Sequence, residues 1–118
     1  MQLEALIDLQ NLKTLSRHNH SFIREILEVY LTNTPRDLRD LSEAVQTERW
    51  PDVRYYAHKL KSSSFTLGFD EGYAVFMEIE RLLKDGLDPQ PVPELYQKAE
   101  ALCEKAFIEI KIELTNYV

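Results

Sequence analysis

The chain has 118 residues, 44% hydrophobic and 29% charged, a balance typical of a folded globular protein rather than a disordered segment. Its net charge of −6 argues against nucleic acid as the main partner, because nucleic-acid-binding domains carry an excess of lysine and arginine. Three glycines leave little material for the turns of an all-β fold, and a single cysteine, Cys103, excludes a disulfide framework and a cysteine metal site.

No apolar run approaches the roughly 18 residues that a membrane span needs. The N-terminus, MQLEALIDLQ, carries acids and no basic leader, so it does not resemble a signal peptide. We expect one domain over residues 1–118, with a cytoplasmic location and no membrane partner. No internal repeat or low-complexity tract divides the chain.

Apolar residues at three-and-four spacing predict a series of helices with short connections. We expect them over the latter half of the segment Leu3 to Ser16, then at about 20–33, 35–47, 50–67, 70–84 and 93–116. Asn19 is a predicted N-cap, and Gly68 is a predicted helix end. Thr34-Pro35-Arg36-Asp37 is typical of a helix start, so it predicts a break between the second and third helices.

This pattern predicts an all-α fold, an up-down antiparallel four-helix bundle with one or two additional N-terminal helices. Phe22 is assigned to the buried stripe of the second predicted helix, and Met77 to that of the fifth. No helix face looks apolar and unused, which favours a monomer. Glu80 lies within one turn of apolar residues in the fifth helix, and a carboxylate placed there is expected to have a partner.

The helix beginning at Trp50-Pro51 carries the most informative side chains. At about 100° per residue, its apolar stripe faces one way and His58 faces nearly the opposite way. The outward neighbours of the histidine are Arg54, Tyr55, Lys61, Ser62 and Phe65. Exposed aromatic residues beside a histidine suggest a docking surface. Packing of Tyr55 and Phe65 under the first or second helix is an equally open alternative.

A neutral imidazole offers a nucleophilic nitrogen. A phosphoryl group on His58 would meet the ammonium of Lys61 and the hydroxyl of Ser62, although a lone surface histidine more often has no such role. Lys59 points about 100° away and is expected to be a solvated lysine. His18 and His20 lack a third ligand and are expected to be surface residues without metal.

The stretch from His58 to Gly68, HKLKSSSFTLG, resembles the signature of histidine-containing phosphotransfer (HPt) domains. That signature is a histidine, any residue, a hydrophobe, a lysine, a glycine and two small residues, with a second glycine six positions after the first. Ser62 replaces the first glycine, and Gly68 keeps the second. The resemblance covers about residues 8–112 and includes the stretches 26–35 and 44–57, with Trp50, and Ile79-Glu80 followed by Gly86.

The resemblance implies a phosphorelay intermediate of two-component signal transduction. His58 would accept a phosphoryl group on Nε2 from a receiver-domain aspartyl-phosphate and pass it to another receiver aspartate. Lys61 would hold the phosphoryl oxygens, Glu80 would orient the ring, and Ser62 would be the small residue beside it. Such a protein has no kinase activity, cofactor or metal of its own, since the receiver brings the Mg²⁺.

The implied partners are response-regulator receiver domains and a hybrid sensor histidine kinase. One alternative is a non-phosphorylated helical adaptor that docks and sequesters a receiver. Retention of both His58 and Lys61 favours transfer, because an adaptor needs neither. Another alternative is a fragment of a hybrid kinase, although the start at Met1 and the terminal helix favour a complete small protein.

Overall fold

The structure is a computed structural model that describes residues 5–118, and all regular elements within this range are helical. The helices are α1 (Gln10–Leu15), α2 (His20–Gln46), α3 (Trp50–Thr66), α4 (Asp70–Lys84) and α5 (Val92–Leu114), followed by a 3-10 turn at Thr115–Tyr117. Helices α2 to α5 form a closed ring in which each packs on the next and α5 returns to α2. This four-helix bundle with one additional N-terminal helix confirms the predicted fold class. Leu3 lies outside the described residues.

The predicted break at Thr34-Pro35 is wrong, because α2 is one helix of 27 residues with Pro35 in its interior. Proline lacks the N–H that would bond to the carbonyl four residues earlier, so it weakens a helix interior without always ending it. Buried residues on both sides hold the two halves in one helix: Ile23, Leu27, Tyr30, Thr34, Leu38 and Leu41. Their three-and-four spacing runs unbroken across Pro35, a feature of the sequence that indicates one continuous helix and that the predicted break overlooks.

Both ends of α3 agree with the sequence. Pro51 lies in the first turn, where its missing N–H has no helical partner to lose. Gly68 follows the helix with φ +63°, a left-handed conformation that favours glycine. A Cβ on Gly68 would overlap the carbonyl oxygen of Asp8, whose N–H donates to Leu67 at 3.1 Å. The glycine thus lets the N-terminal segment cross the end of α3.

The same N-terminal segment is also bound to α5. The backbone N–H groups of Leu6 and Ile7 donate to the two carboxylate oxygens of Glu109, at 2.8 and 3.2 Å. Ile7 and Leu9 are buried against the bundle. Residues 5–9 therefore close the bundle at the end away from the start of α3. The predicted N-cap of α2 is confirmed, since Asn19 accepts a hydrogen bond from the N–H of Phe22.

Two apolar residues assigned to the core are on the surface instead. Phe22 is 44% exposed and Met77 is 43% exposed. The expectation that no helix face is apolar and unused is also wrong, because Ile108 and Ile112 on α5 are 63% and 65% exposed. Within residues 5–118, no helix combines the length and the apolar character needed to cross a membrane.

Candidate functional site

His58 lies in the middle of α3 on the side that the other helices leave uncovered. Val53, Ala57 and Leu60 are fully buried on the opposite side, which confirms the predicted orientation of the helix. The imidazole side chain is 63% exposed. A large partner can therefore reach the ring without any opening of the bundle.

Glu80 reaches the histidine from α4, the helix that packs most extensively against α3. Its Oε2 lies 2.5 Å from Nδ1 of His58, and its Oε1 accepts a hydrogen bond from Nζ of Lys61 at 2.7 Å. The Glu80 side chain is 15% exposed, so the bundle shelters both contacts. The carboxylate that was expected to need one partner has two.

This contact determines which ring nitrogen can react. An ionised carboxylate only accepts hydrogen bonds, so Nδ1 of His58 carries the hydrogen and donates it to Glu80. The lone pair is then on Nε2, the nitrogen that Glu80 does not touch. A histidine held in this way has a fixed tautomer and a fixed ring orientation.

The pKa of Glu80 favours the ionised carboxylate that this contact requires. Partial burial raises that pKa, but the hydrogen bonds from Lys61 and His58 and the charges of both groups outweigh it. The net result is a pKa below the ordinary value of a glutamic acid. Glu80 is therefore ionised at neutral pH.

Lys61 lies on the same side of α3 as His58, as the helical spacing predicts. Its side chain is 19% exposed, and its ammonium is already bound to Glu80. The sequence placed this lysine beside the ring but did not indicate that its charge is balanced before any phosphoryl group arrives. Lys61, Glu80 and His58 thus form a connected set across two helices.

A groove of about 590 Å³ opens beside His58 toward the start of α3. It is lined by Trp50, Pro51, Arg54, Tyr55, His58, Glu80 and Leu83. Arg54 is exposed and lines this groove, one helical turn before His58. The groove therefore combines an apolar wall, a cation and the candidate nucleophile.

The aromatic neighbours predicted for His58 are exposed, so the alternative in which they pack under another helix is wrong. Tyr55 is 62% exposed and meets the ring of Tyr56 edge-on at 5.1 Å. Phe65 is 71% exposed and lies 5.9 Å from the ring of Tyr73 on α4. One aromatic ring therefore flanks the histidine on each side along α3.

Ser62 follows His58 by one turn and is exposed. Its hydroxyl donates to the backbone carbonyl of His58 at 3.2 Å, and Ser63 makes the equivalent bond to Lys59 at 3.1 Å. A serine in place of the family's glycine therefore adds one hydroxyl on the His58 side of α3, where it is bound to the helix backbone.

Lys59 is not a solvated lysine, contrary to expectation. Its ammonium lies 3.1 Å from Oδ1 of Asp37 on α2, and that carboxylate side chain is 5% exposed. Asp37 was assigned only to a helix start, because the predicted break at Pro35 hid its place in the interior of α2. The pair joins α3 to α2 on the side away from Glu80.

Met77 is a further residue near the site, and it is exposed although the apolar pattern predicts it to be buried. It precedes Glu80 by almost one turn of α4, so its exposed side chain shares that side of the helix. The buried stripe of α4 consists of Val75, Phe76, Ile79 and Leu82. Centring the stripe on these four residues places Met77 at its edge.

The other candidate residues form no site in the described part of the chain. His18 and His20 are exposed, and no group of three or more His, Cys, Asp or Glu side chains among residues 5–118 is placed to hold a metal ion. Cys103 is fully buried, and burial raises the pKa of its thiol to about 12. Cys103 is therefore a core residue.

Comparison with protein-family models matches residues 25–116 to the Hpt domain. Comparison with solved structures finds the crystal structure of histidine-containing phosphotransfer protein B (HptB) from Pseudomonas aeruginosa PAO1, with a TM-score of 0.86 and 23% sequence identity. That alignment covers 96% of this chain and 97% of the HptB chain, and at this identity it establishes a shared fold. No curated protein sequence matches the chain.

The family match spans most of the chain, including the whole of α3 and α4 with His58, Lys61 and Glu80. Residues 8–24, which the sequence resemblance also included, lie before the matched region. The structural alignment extends the likeness to nearly all of the chain at the level of the fold. The chain belongs to the Hpt domain family and is a histidine phosphotransfer protein of two-component signalling.

Proposed function

We propose that His58 is the phosphoacceptor of a phosphorelay. Nε2 of His58 attacks the phosphorus of a receiver-domain aspartyl-phosphate, the N–P bond forms, and the P–O bond breaks with its electron pair passing to the aspartate carboxylate. Transfer to the aspartate of a second receiver is the same step in reverse. No proton has to leave the ring, because Nδ1 keeps its hydrogen throughout.

The contact between Glu80 and Nδ1 of His58 carries this proposal. It leaves the lone pair on Nε2, and the negative carboxylate stabilises the positive charge that the ring gains when Nε2 becomes bonded to phosphorus. Lys61 supports the step by balancing the charge of Glu80 and by lying next to the incoming phosphoryl oxygens. Ser62 is small enough to leave space for the receiver beside the ring.

In this proposal the protein is a cytoplasmic monomer, and its partners are receiver domains and a hybrid sensor histidine kinase. Tyr55 and Phe65 provide the exposed apolar contacts on the two sides of the histidine. The chain itself supplies the nucleophile and its orientation, and the receiver supplies Mg²⁺. Phosphoryl transfer is mainly a matter of position and charge, so this division requires no kinase activity of the chain.

The test is incubation of the protein with a phosphorylated receiver, followed by detection of phosphate on the chain. We expect label that is labile in acid and stable in base, as for phosphohistidine. The variant His58→Gln should carry no label while keeping the helical circular dichroism of the wild type. A wild-type chain that binds the receiver without becoming labelled would instead indicate the adaptor function.

A further inference from the structure

Three cationic side chains of α3 occur within four residues of His58 in the sequence. They differ in whether a carboxylate already balances their charge. Lys61 is bound to Glu80, and Lys59 is bound to Asp37. Arg54 pairs with no carboxylate among residues 5–118. Arg54 also lines the same groove as His58 and Glu80. Arg54 thus gives this groove a positive charge that no carboxylate of residues 5–118 balances.

Phosphorylation would create a need for such a charge. Before transfer the charges of Glu80 and Lys61 balance, and a ring with a lone pair on Nε2 and a hydrogen on Nδ1 carries no charge. A phosphoryl group brings close to two negative charges near neutral pH, while the ring gains one positive charge because Nδ1 keeps its hydrogen. The phosphorylated site therefore holds one negative charge in excess, and Lys61 cannot balance it without leaving Glu80.

The position of Arg54 suits this role. Arg54 precedes His58 by four residues, a rise of about 6 Å along the helix axis. Helical side chains lean toward the N-terminus, so the ring of His58 extends over the turn that carries Arg54. A guanidinium can also bind two phosphoryl oxygens at once through parallel N–H groups.

We infer that the guanidinium of Arg54 binds the phosphoryl oxygens on His58, rather than serving only as a docking contact for the receiver. The inference rests on the proposed function and deepens it. It assigns the excess negative charge of the phosphoryl group to Arg54, while Lys61 stays bound to Glu80 next to the phosphoryl oxygens.

Phosphoramidate is the probe that separates this role from docking, because this small phosphodonor needs no receiver surface. Its P–N bond breaks, ammonia leaves with the electron pair, and Nε2 of His58 bonds to phosphorus. We expect Arg54→Ala to slow phosphohistidine formation about tenfold, a change of about 1.4 kcal/mol in the barrier. Arg54→Lys keeps the charge without the paired N–H groups, so its rate of phosphohistidine formation should lie between those of the wild type and Arg54→Ala.

The matched control is Arg24→Ala, since Arg24 pairs along its own helix with Glu28 and does not line the groove. We expect this variant to be phosphorylated at the wild-type rate. All variants should keep the same thermal unfolding midpoint by circular dichroism. The inference would be overturned in favour of a structural role if Arg54→Ala lost both rate and thermal stability and Arg54→Lys did not restore the rate.

A second readout is the ³¹P chemical shift of the phosphohistidine followed against pH. A bound guanidinium favours the dianionic phosphoryl group, so Arg54→Ala should move the midpoint of this titration to higher pH. The inference would be overturned if phosphoramidate labelled Arg54→Ala at the wild-type rate and the pH midpoint of the ³¹P titration were unchanged in this variant. A wild-type chain labelled by neither phosphoramidate nor a phosphorylated receiver would overturn the proposed function itself.

Discussion

The two sides of α3 carry the same kinds of side chain, but these side chains have different roles on each side. On the His58 side, Lys61 binds Glu80 of α4, and Ser62 binds the carbonyl of His58. On the α2 side, Lys59 binds Asp37, and Ser63 binds the carbonyl of Lys59. Each side therefore has a lysine, a carboxylate from a neighbouring helix and a serine.

The difference lies in what the carboxylate does besides accepting from its lysine. Glu80 uses its second oxygen for Nδ1 of His58, so this ion pair is joined to an exposed nucleophile. Asp37 is almost completely buried, and its pair with Lys59 holds two helices together. An ion pair between helices thus acquires a functional role when one of its groups is shared with a reactive side chain.

The largest expected effect comes from separating Glu80 from the histidine. We expect Glu80→Ala to slow transfer from a phosphorylated receiver about 30-fold, because Glu80 holds His58 as a carboxylate holds a metal-binding histidine, and loss of such a carboxylate typically costs 10- to 100-fold. Glu80→Gln, which keeps an acceptor for Nδ1, should lose less. Rapid-quench measurement of labelled chain checks both. Equal rates for wild type and Glu80→Ala would contradict the proposed orientation of the ring.

The two lysines provide the next comparison. Lys61→Ala should slow transfer about fivefold, since it leaves the charge of Glu80 unbalanced next to the incoming phosphoryl group. Lys59→Ala should leave the rate unchanged, because its ammonium serves Asp37 on the other side of α3. Helical circular dichroism should be retained in both. Similar rates for the two variants would remove Lys61 from the mechanism.

Breaking the pair on the α2 side should change stability rather than transfer. We expect Asp37→Ala to lower the free energy of unfolding by about 1 kcal/mol, a modest loss because the freed Lys59 is 45% exposed and can turn into water. Urea unfolding measures the loss, and the rate of receiver-dependent labelling should stay at the wild-type value. A slower rate would show that the two sides of α3 are coupled.

The smallest effect is expected from the serines. Ser62→Gly and Ser63→Gly remove equivalent hydroxyl bonds, and each places glycine in a helix, which costs about 0.5–1 kcal/mol. Both should lose similar stability in urea, but Ser62→Gly alone should change the transfer rate, by about twofold, because Ser62 lies one turn after His58 on the same side of α3. If Ser63→Gly changed the rate as much, the effect would come from the helix backbone.

Much of the candidate site could be derived from the sequence of one helix. The limits of α3, the outward direction of His58 and the neighbouring positions of Lys61 and Ser62 all follow from helical spacing between Pro51 and Gly68. The need of Glu80 for a partner followed from its place beside an apolar stripe. Its assignment to His58 came from the family resemblance, because spacing within α4 does not determine which side chain of α3 it meets.

The exposed positions of Phe22 and Met77 were not predicted, for a related reason. A stripe of apolar residues defines which side of a helix is buried, but residues at its edge are buried only if a neighbouring helix reaches them. The continuous α2 was misread because a proline in the first turn and a proline in the interior look alike locally. The apolar spacing across Pro35 distinguishes the two cases.

Helical periodicity alone thus accounts for the all-α character, the bundle and the face on which His58 lies, because these depend on residues close together in the chain. The tertiary structure decided which charges are paired. Glu80 meets both His58 and Lys61, and Asp37 meets Lys59, whereas Arg54 has no carboxylate partner within residues 5–118. These outcomes depend on how α3 is aligned against α2 and α4, and that alignment is set by the packing of the whole core.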